Sequence, residues 1–174
     1  MRAVHFVLSP AAQEVIHHEL TPAVSARPFD PRLLFRASTE RLQIWDHRDL
    51  LAPIASGSYK TAGMAIVPCS MSTLAAIASG QTTNLIQRAA DVHLKERRKL
   101  ILTPRETPLG LIGLRNMVQA TEAGAVVLPA MPGFYHAPRS IEDLVDFVVS
   151  RICDQLGLEN NLIRRWGTGS DSSC

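Results

Sequence analysis

Five short apolar runs punctuate the chain, and each gives way to polar or proline-marked residues at its C-terminal end. They are Ala3–Leu8, Leu42–Trp45, Met64–Pro68, Leu100–Pro104 and Ala125–Pro129. Short continuous apolar runs with turn signals behind them read as buried strands. Between them the spacing of apolar positions changes to the helical period. Ala11–Glu19 reads as a helix with Ser9 as N-cap and Pro10 as its first residue. Leu74–Ser79 reads as a second, closed by Gly80, and Asn84–Leu94 as a third. Leu111–Ala123 stops at Gly124, and Ser140 caps Ile141–Leu156, whose first turn carries Glu142 and Asp143. Pro31–Arg41 fits a short helix returning toward the second strand, and Asp46–Leu51 fits a turn. Pro22 and Pro28 make Thr21–Phe29 a loop, and residues 167–174 read as a disordered tail.

Alternating strands and helices with apolar strands predict an α/β fold. The expected architecture is three-layered, with a mainly parallel sheet of the Rossmann-like or flavodoxin-like kind. Met64–Pro68, apolar almost throughout, predicts a strand buried on both faces. Ser9, Ser70 with Ser72 and Thr73, Arg105 with Glu106, and Tyr135 all follow strands. In an open parallel sheet such ends gather along one edge, where ligands bind. The strand, Ser70–Thr73 turn and helix put hydroxyls and free N–H groups at one point, suited to an anion or the polar edge of a cofactor. An ordinary capped turn explains that stretch equally well when it is taken alone. Ala52–Ser58, small and Gly/Ser-marked, reads as an ordered surface loop, either a connector or a functional one. Arg88, Asp91 and Lys95 share one helix face, which is either solvated or part of a site.

Length and charge narrow the class further. A chain of 174 residues suits one domain, expected over residues 1–166. A net charge of +2 gives no electrostatic case for nucleic acid or an anionic membrane surface. No apolar run reaches membrane-span length and no signal peptide opens the chain, so a cytoplasmic protein is expected. Cys69, Cys153 and Cys174 have neither paired nor metal-ligand spacing, and Cys69 and Cys153 read as small core residues. His17 and His18 point about 100° apart on a helix and would not share a metal.

Several blocks together carry a resemblance. They are Pro68–Gly80, Asn84–Val92, Leu94–Arg98, Pro104–Pro108, Pro132–His136 and Ile141–Val149. These closely resemble the UbiX-type flavin prenyltransferases, and the likeness runs from about Val4 to Trp166. It implies transfer of a dimethylallyl group from dimethylallyl monophosphate to reduced FMN, closing a fourth ring at flavin N5 and C6. It implies no metal, delivery of the prenylated FMN to a UbiD-type decarboxylase of ubiquinone biosynthesis, and a homo-oligomer, typically a dodecamer. Residue by residue, Ser9, Ser70, Met71, Ser72, Thr73 and Arg105 match flavin-holding positions. Arg88, Lys95, Tyr135 and Arg151 match groups that hold the prenyl phosphate, while Glu19, Glu106 and Trp166 match residues near the reacting atoms. The chemistry asks for such a set. Departing phosphate gathers negative charge that Arg and Lys stabilise, and closure at C6 releases a proton that a carboxylate such as Glu19 can take.

The chain also departs from that pattern. Members normally open with a strand and a Gly-rich loop that cradles the flavin phosphate, whereas Met1–Phe6 already matches the second strand. Either Met1 lies inside a longer reading frame, or this is a shortened paralogue. Loss of a central strand would leave two unpaired inner edges. Ser72 stands where many members carry Lys. Two other readings stay open: an FMN-dependent cysteine decarboxylase, whose relatives usually carry Asn in the Ser70–Thr73 turn, and a non-catalytic flavin-binding or assembly subunit.

Overall fold

The computed structural model describes residues 3–19, 30–34, 39–165 and 167. These fall into two compact units, one drawn from Met1–Lys60 and Gly80–Val92, the other from Thr61–Ser79 and His93–Cys174.

The first unit carries β1 (Val4–Val7), α1 (Pro10–Glu19), a single 3-10 turn at Pro31–Leu34 and β2 (Leu42–Trp45). β1 and β2 pair in parallel, with Val4 opposite Leu42 and Val7 opposite Trp45. Ser9 does cap α1: its Oγ accepts a hydrogen bond from the Ala12 N–H at 3.1 Å. The helix buries none of its residues. A second 3-10 turn, Pro53–Ala55, follows the polar Asp46–Leu51 turn. Helix α3 (Leu85–Lys95) begins in this unit, and its Leu85, Ala89, Ala90 and Val92 are fully buried. Its entry is fixed by the Leu85 N–H donating to the His47 carbonyl at 2.7 Å. The Asn84 side chain accepts from the Gln87 N–H at 3.0 Å, satisfying a donor of the first turn.

The second unit is built on a parallel ladder in the order β3 (Gly63–Cys69), β4 (Lys99–Pro104), β5 (Val126–Val127). β4 lies between the other two strands, and Leu100, Ile101 and Leu102 are 0% exposed. Around the ladder run α2 (Met71–Ala78), α4 (Leu111–Glu122) and α5 (Ile141–Leu156), which bury Leu74, Ile77, Ala120 and Ile152. Fully burying each Leu or Ile contributes about 1.5–3 kcal/mol, so the central strand with its helices holds this unit together. α5 starts with the expected Ser140 cap, completed into a capping box by Asp143, and ends at Gly157 in the left-handed region with φ 69°.

The α/β class and the parallel pairing are as expected, with one parallel ladder in each unit. Two expectations about single strands are corrected. β3 is not buried on both faces: it is an edge of its ladder, and Val67 is 53% exposed. β5 shrinks to two residues because the next bridge needs an N–H from Pro104 on β4 to the Leu128 carbonyl, and proline has none to donate. The segment nevertheless stays on β4, with Leu128 N–H donating to Leu102 and Ala130 N–H to Pro104 at 2.8 and 2.9 Å. Of the two cysteines read as core, Cys69 is buried, while Cys153 is only half-buried on α5. Trp166 and most of the proposed tail lie outside the described residues.

Candidate functional site

In the second unit, the expected convergence of polar residues follows from the register. Cys69 at the end of β3 pairs with Pro104 at the end of β4. Ser70 and Arg105, the next residues of each chain segment, therefore leave the ladder side by side. The segment after β5 leaves from the same end, because Ala130 still bonds to Pro104. Three of the four predicted strand-end loops thus share one edge.

Ser70 ends β3 and opens α2. Its Oγ accepts from the Thr73 N–H at 3.2 Å, which meets one donor of the helix start. The same Oγ lies 3.0 Å from Ser72 Oγ and 3.0 Å from Thr73 Oγ1. Three hydroxyls therefore stand together at a helix N-terminus, where the unsatisfied N–H groups and the dipole favour an anion or a polar ligand edge. Met71 is seated against Gly113 of α4; a Cβ on that glycine would come within 2.5 Å of Met71 Cε. Arg105 and Glu106 are exposed, and the Glu106 carboxylate accepts from the Thr107 N–H at 3.1 Å.

Tyr135 is 62% exposed, with its ring edge-on to Phe147 of α5 at a centroid distance of 5.8 Å. His136 stacks on the same Phe147 at 5.3 Å. Gly133 permits this approach, since a Cβ there would lie 2.8 Å from the Tyr135 ring and 3.1 Å from Phe147. Arg151, on the same helix, borders a cavity of about 320 Å³ whose other walls include Leu128, Met131 and Phe147. Arg151 Nη1 donates to Asp154 Oδ2 at 2.9 Å, and Arg165 grips both oxygens of Asp154 at 3.0 and 2.7 Å. The hydrogen bond from Arg165, with help from Asn160 and Arg151, holds the Asp154 carboxyl below its ordinary range.

In the first unit, Ser9 sits at the end of β1 as the cap of α1, and Glu19 is exposed at the far end of that helix. Some fifteen ångströms of helix, about 1.5 Å per residue, separate the two, so α1 alone does not bring them together. Arg88 is held more firmly. Its Nε donates to the Ala55 carbonyl at 3.0 Å and its Nη1 to Asp91 Oδ2 at 3.1 Å. Lys95 lies two turns further along α3 and is exposed.

Asp91 shares the helix face of Arg88 already noted in the sequence, whereas Asp154 and Arg165 were not anticipated around the candidate cations. Asp154 was legible as the i, i+3 partner of Arg151, as Asp91 is of Arg88. Arg165, eleven residues from Asp154, carried no such signal. Among the described residues there is no cluster of His, Cys, Asp and Glu fit for a metal, and no helix is long and apolar enough to cross a membrane.

Residues 2–153 match the family model described as Flavoprotein. Over 94% of its length the chain is 49% identical to the flavin prenyltransferase UbiX of Alkalihalophilus pseudofirmus, covering 82% of that protein. It is 48% identical to the flavin prenyltransferase UbiX of Pseudomonas aeruginosa, over 95% of this chain and 81% of the relative. Among solved structures it is similar to AnUbiX (PadA1) in complex with FMN and dimethylallyl pyrophosphate. The TM-score is 0.81 at 44% identity, covering 93% of this chain and 81% of that one. A dodecameric FMN-dependent Ubix-like decarboxylase from Escherichia coli O157:H7 gives a TM-score of 0.82 at 41% identity, covering 94% and 83%.

Proposed function

Since the chain belongs to the flavoprotein family and, within it, to the UbiX-type flavin prenyltransferases, we propose that it joins a dimethylallyl group to reduced FMN. The observation that carries this is the Ser70–Thr73 hydroxyl cluster beside Arg105 on one ladder edge, in a chain 44% identical to a structure holding FMN and a dimethylallyl donor.

In this reading the chain binds FMN. When reduced, it supplies the nucleophilic N5 and C6 atoms. Ser70, Met71, Ser72 and Thr73 hold its polar edge, and Arg105 and Ser9 add further contacts. Arg88, Lys95 and Arg151 carry fixed positive charge for the phosphate of the donor, and the exposed Tyr135 hydroxyl donates to it. Those charges act most strongly on the departing phosphate, where negative charge accumulates as the allylic C–O bond breaks. Glu106 and Glu19 are the carboxylates available to accept the C6 proton. Trp166 completes the reading as an aromatic neighbour of the allyl fragment. The prenylated FMN then passes to a UbiD-type decarboxylase in a cytoplasmic setting, and a homo-oligomer like the dodecameric relative carries the activity.

The test uses the purified chain. FMN is added, excess is removed by desalting, and retained flavin is read by visible absorbance. Dithionite and either dimethylallyl monophosphate or dimethylallyl pyrophosphate are then supplied without oxygen, and the extracted flavin is weighed by mass spectrometry. A flavin heavier by one C5H8 unit supports the reading, and the donor that works identifies the phosphate form. Retained FMN with no mass gain overturns prenyl transfer and leaves a flavin-binding subunit. Release of CO2 from a cysteine-terminated peptide, with no mass gain, would establish the decarboxylase reading instead. Glu19→Gln that keeps full turnover with FMN bound removes Glu19 from the proton transfer.

A further inference from the structure

The Ala52–Tyr59 segment has no role in the proposed function, yet it is tied down along its length. Ala52, Ile54 and Ala55 are buried. Successive turns lock the backbone: Ala55 N–H donates to Ala52, Ser56 N–H to Pro53 and Tyr59 N–H to Ser56, at 2.9 to 3.2 Å. At its far end Tyr59 reaches the sheet. Its hydroxyl lies 3.0 Å from His5 Nε2 on β1, and the Trp45 indole N–H on β2 donates to His5 Nδ1 at 3.0 Å. Because Nδ1 accepts, the imidazole proton sits on Nε2 and is donated to the Tyr59 oxygen. The His5 and Tyr59 rings meet edge-to-face at 5.2 Å. Three side chains from β1, β2 and the loop therefore form one directed chain.

The near end of the same loop holds Arg88. A guanidinium has a planar fork of five N–H donors, so fixing two of them fixes its plane. Here Nε is fixed by the Ala55 carbonyl and Nη1 by Asp91. The side chains of Arg88 and Asp91 are 35% and 33% exposed, so the fork is partly open to solvent. The Nη2 donors have no partner among the described residues. A backbone carbonyl anchor is only as fixed as the loop that carries it, and here that loop is tied at both ends.

We infer that the Ala52–Tyr59 loop, pinned by Tyr59, His5 and Trp45, is the positioning element that aims Arg88 at an anionic phosphate. Asp91 acts as the second stop. This rests on Arg88 being a phosphate ligand, as set out under the proposed function. The loop itself touches no reacting atom in this account: it sets the Arg88 plane and leaves the Nη2 face for the ligand.

Affinity for dimethylallyl monophosphate, measured by calorimetry on the FMN-loaded full chain, tests this without requiring turnover. Arg88→Ala should weaken binding about 10- to 100-fold, the scale of a charged hydrogen bond. Arg88→Lys keeps the charge but loses the fork, and should fall between the two. Tyr59→Phe removes only the hydroxyl, and Asp91→Asn only the charge. Each should weaken binding about threefold while FMN retention is unchanged. Combined with Arg88→Ala, neither should weaken it further, because the group they aim is gone. Equal losses from Tyr59→Phe and Asp91→Asn with or without Arg88, or no loss at all, overturn the inference alone. Unchanged binding in Arg88→Ala overturns the phosphate role of Arg88 and the positioning role with it.

Discussion

The chain builds the same local device twice, with different support. Ser9 and Ser70 each follow a parallel strand, each opens a helix, and each accepts a hydrogen bond from the N–H three residues on, at 3.1 and 3.2 Å. Beyond the cap the two differ. The helix behind Ser9 buries no residue, and its strand belongs to a two-stranded ladder. The helix behind Ser70 buries Leu74, Ala76 and Ile77, and the neighbouring strand β4 is closed off from solvent along Leu100–Leu102. Capping makes a turn possible in both places. Burial is what makes one of them a rigid platform.

That difference is open to direct attack. The largest effect should come from the core of the second unit. Leu102→Ala should cost about 2–5 kcal/mol in denaturant unfolding, whereas Val15→Ala on the exposed face of α1 should stay within about 0.5 kcal/mol. Equal costs would mean that burial does not separate the two regions. Next come the caps themselves. Ser70→Ala and Ser9→Ala should each cost about 1 kcal/mol, since the same bond is lost. Only Ser70→Ala also dismantles a hydroxyl cluster, so FMN retention after desalting should fall more in that variant.

A smaller effect should follow from pH. Burial pushes the His5 imidazole below its usual 6.5. The unfolded chain therefore binds the proton more readily than the folded one in the window just below that value. Stability should decline as pH drops through 6.5 and level off once the folded imidazole also protonates. Protonation at Nδ1 would also expel the Trp45 indole N–H, so Trp45 emission should change in the same window, and His5→Gln should flatten both curves. The smallest effect is a labelling rate with no cost in stability. Burial pushes the Cys69 thiol up to about 12, so native Cys69 should resist iodoacetamide at neutral pH while the half-buried Cys153 reacts faster. Site-resolved mass spectrometry reads both.

Local grammar was legible in the residues. Leu42–Trp45 and Ile141–Leu156 begin and end where period and caps place them, and the Ser70 turn is legible in its own residues. These features depend on neighbours within a few positions. What could not be read depends on distant ones. Nothing in Tyr59 announces His5, 54 positions away, and nothing in Ala55 announces that its carbonyl will anchor Arg88. The exposure of Val67 likewise depends on which strand stands beside β3, a fact of pairing and not of composition. The candidate site divides the same way: the residue types at strand ends and the i, i+3 partners of the cations were legible, and the distant anchors, the Ala55 carbonyl and Arg165, were not.

The three hydroxyls of Ser70, Ser72 and Thr73 have one further property. Ser70 gives its single proton to Thr73 Oγ1 at 3.0 Å, so Ser72, 3.0 Å away on the other side, donates to Ser70. Together with the Thr73 N–H this fills both lone pairs of Ser70 Oγ inside the turn. The proton left to face outward is that of Thr73. The cap therefore does more than close a helix: it fixes which hydroxyl presents a donor to whatever stands at this edge.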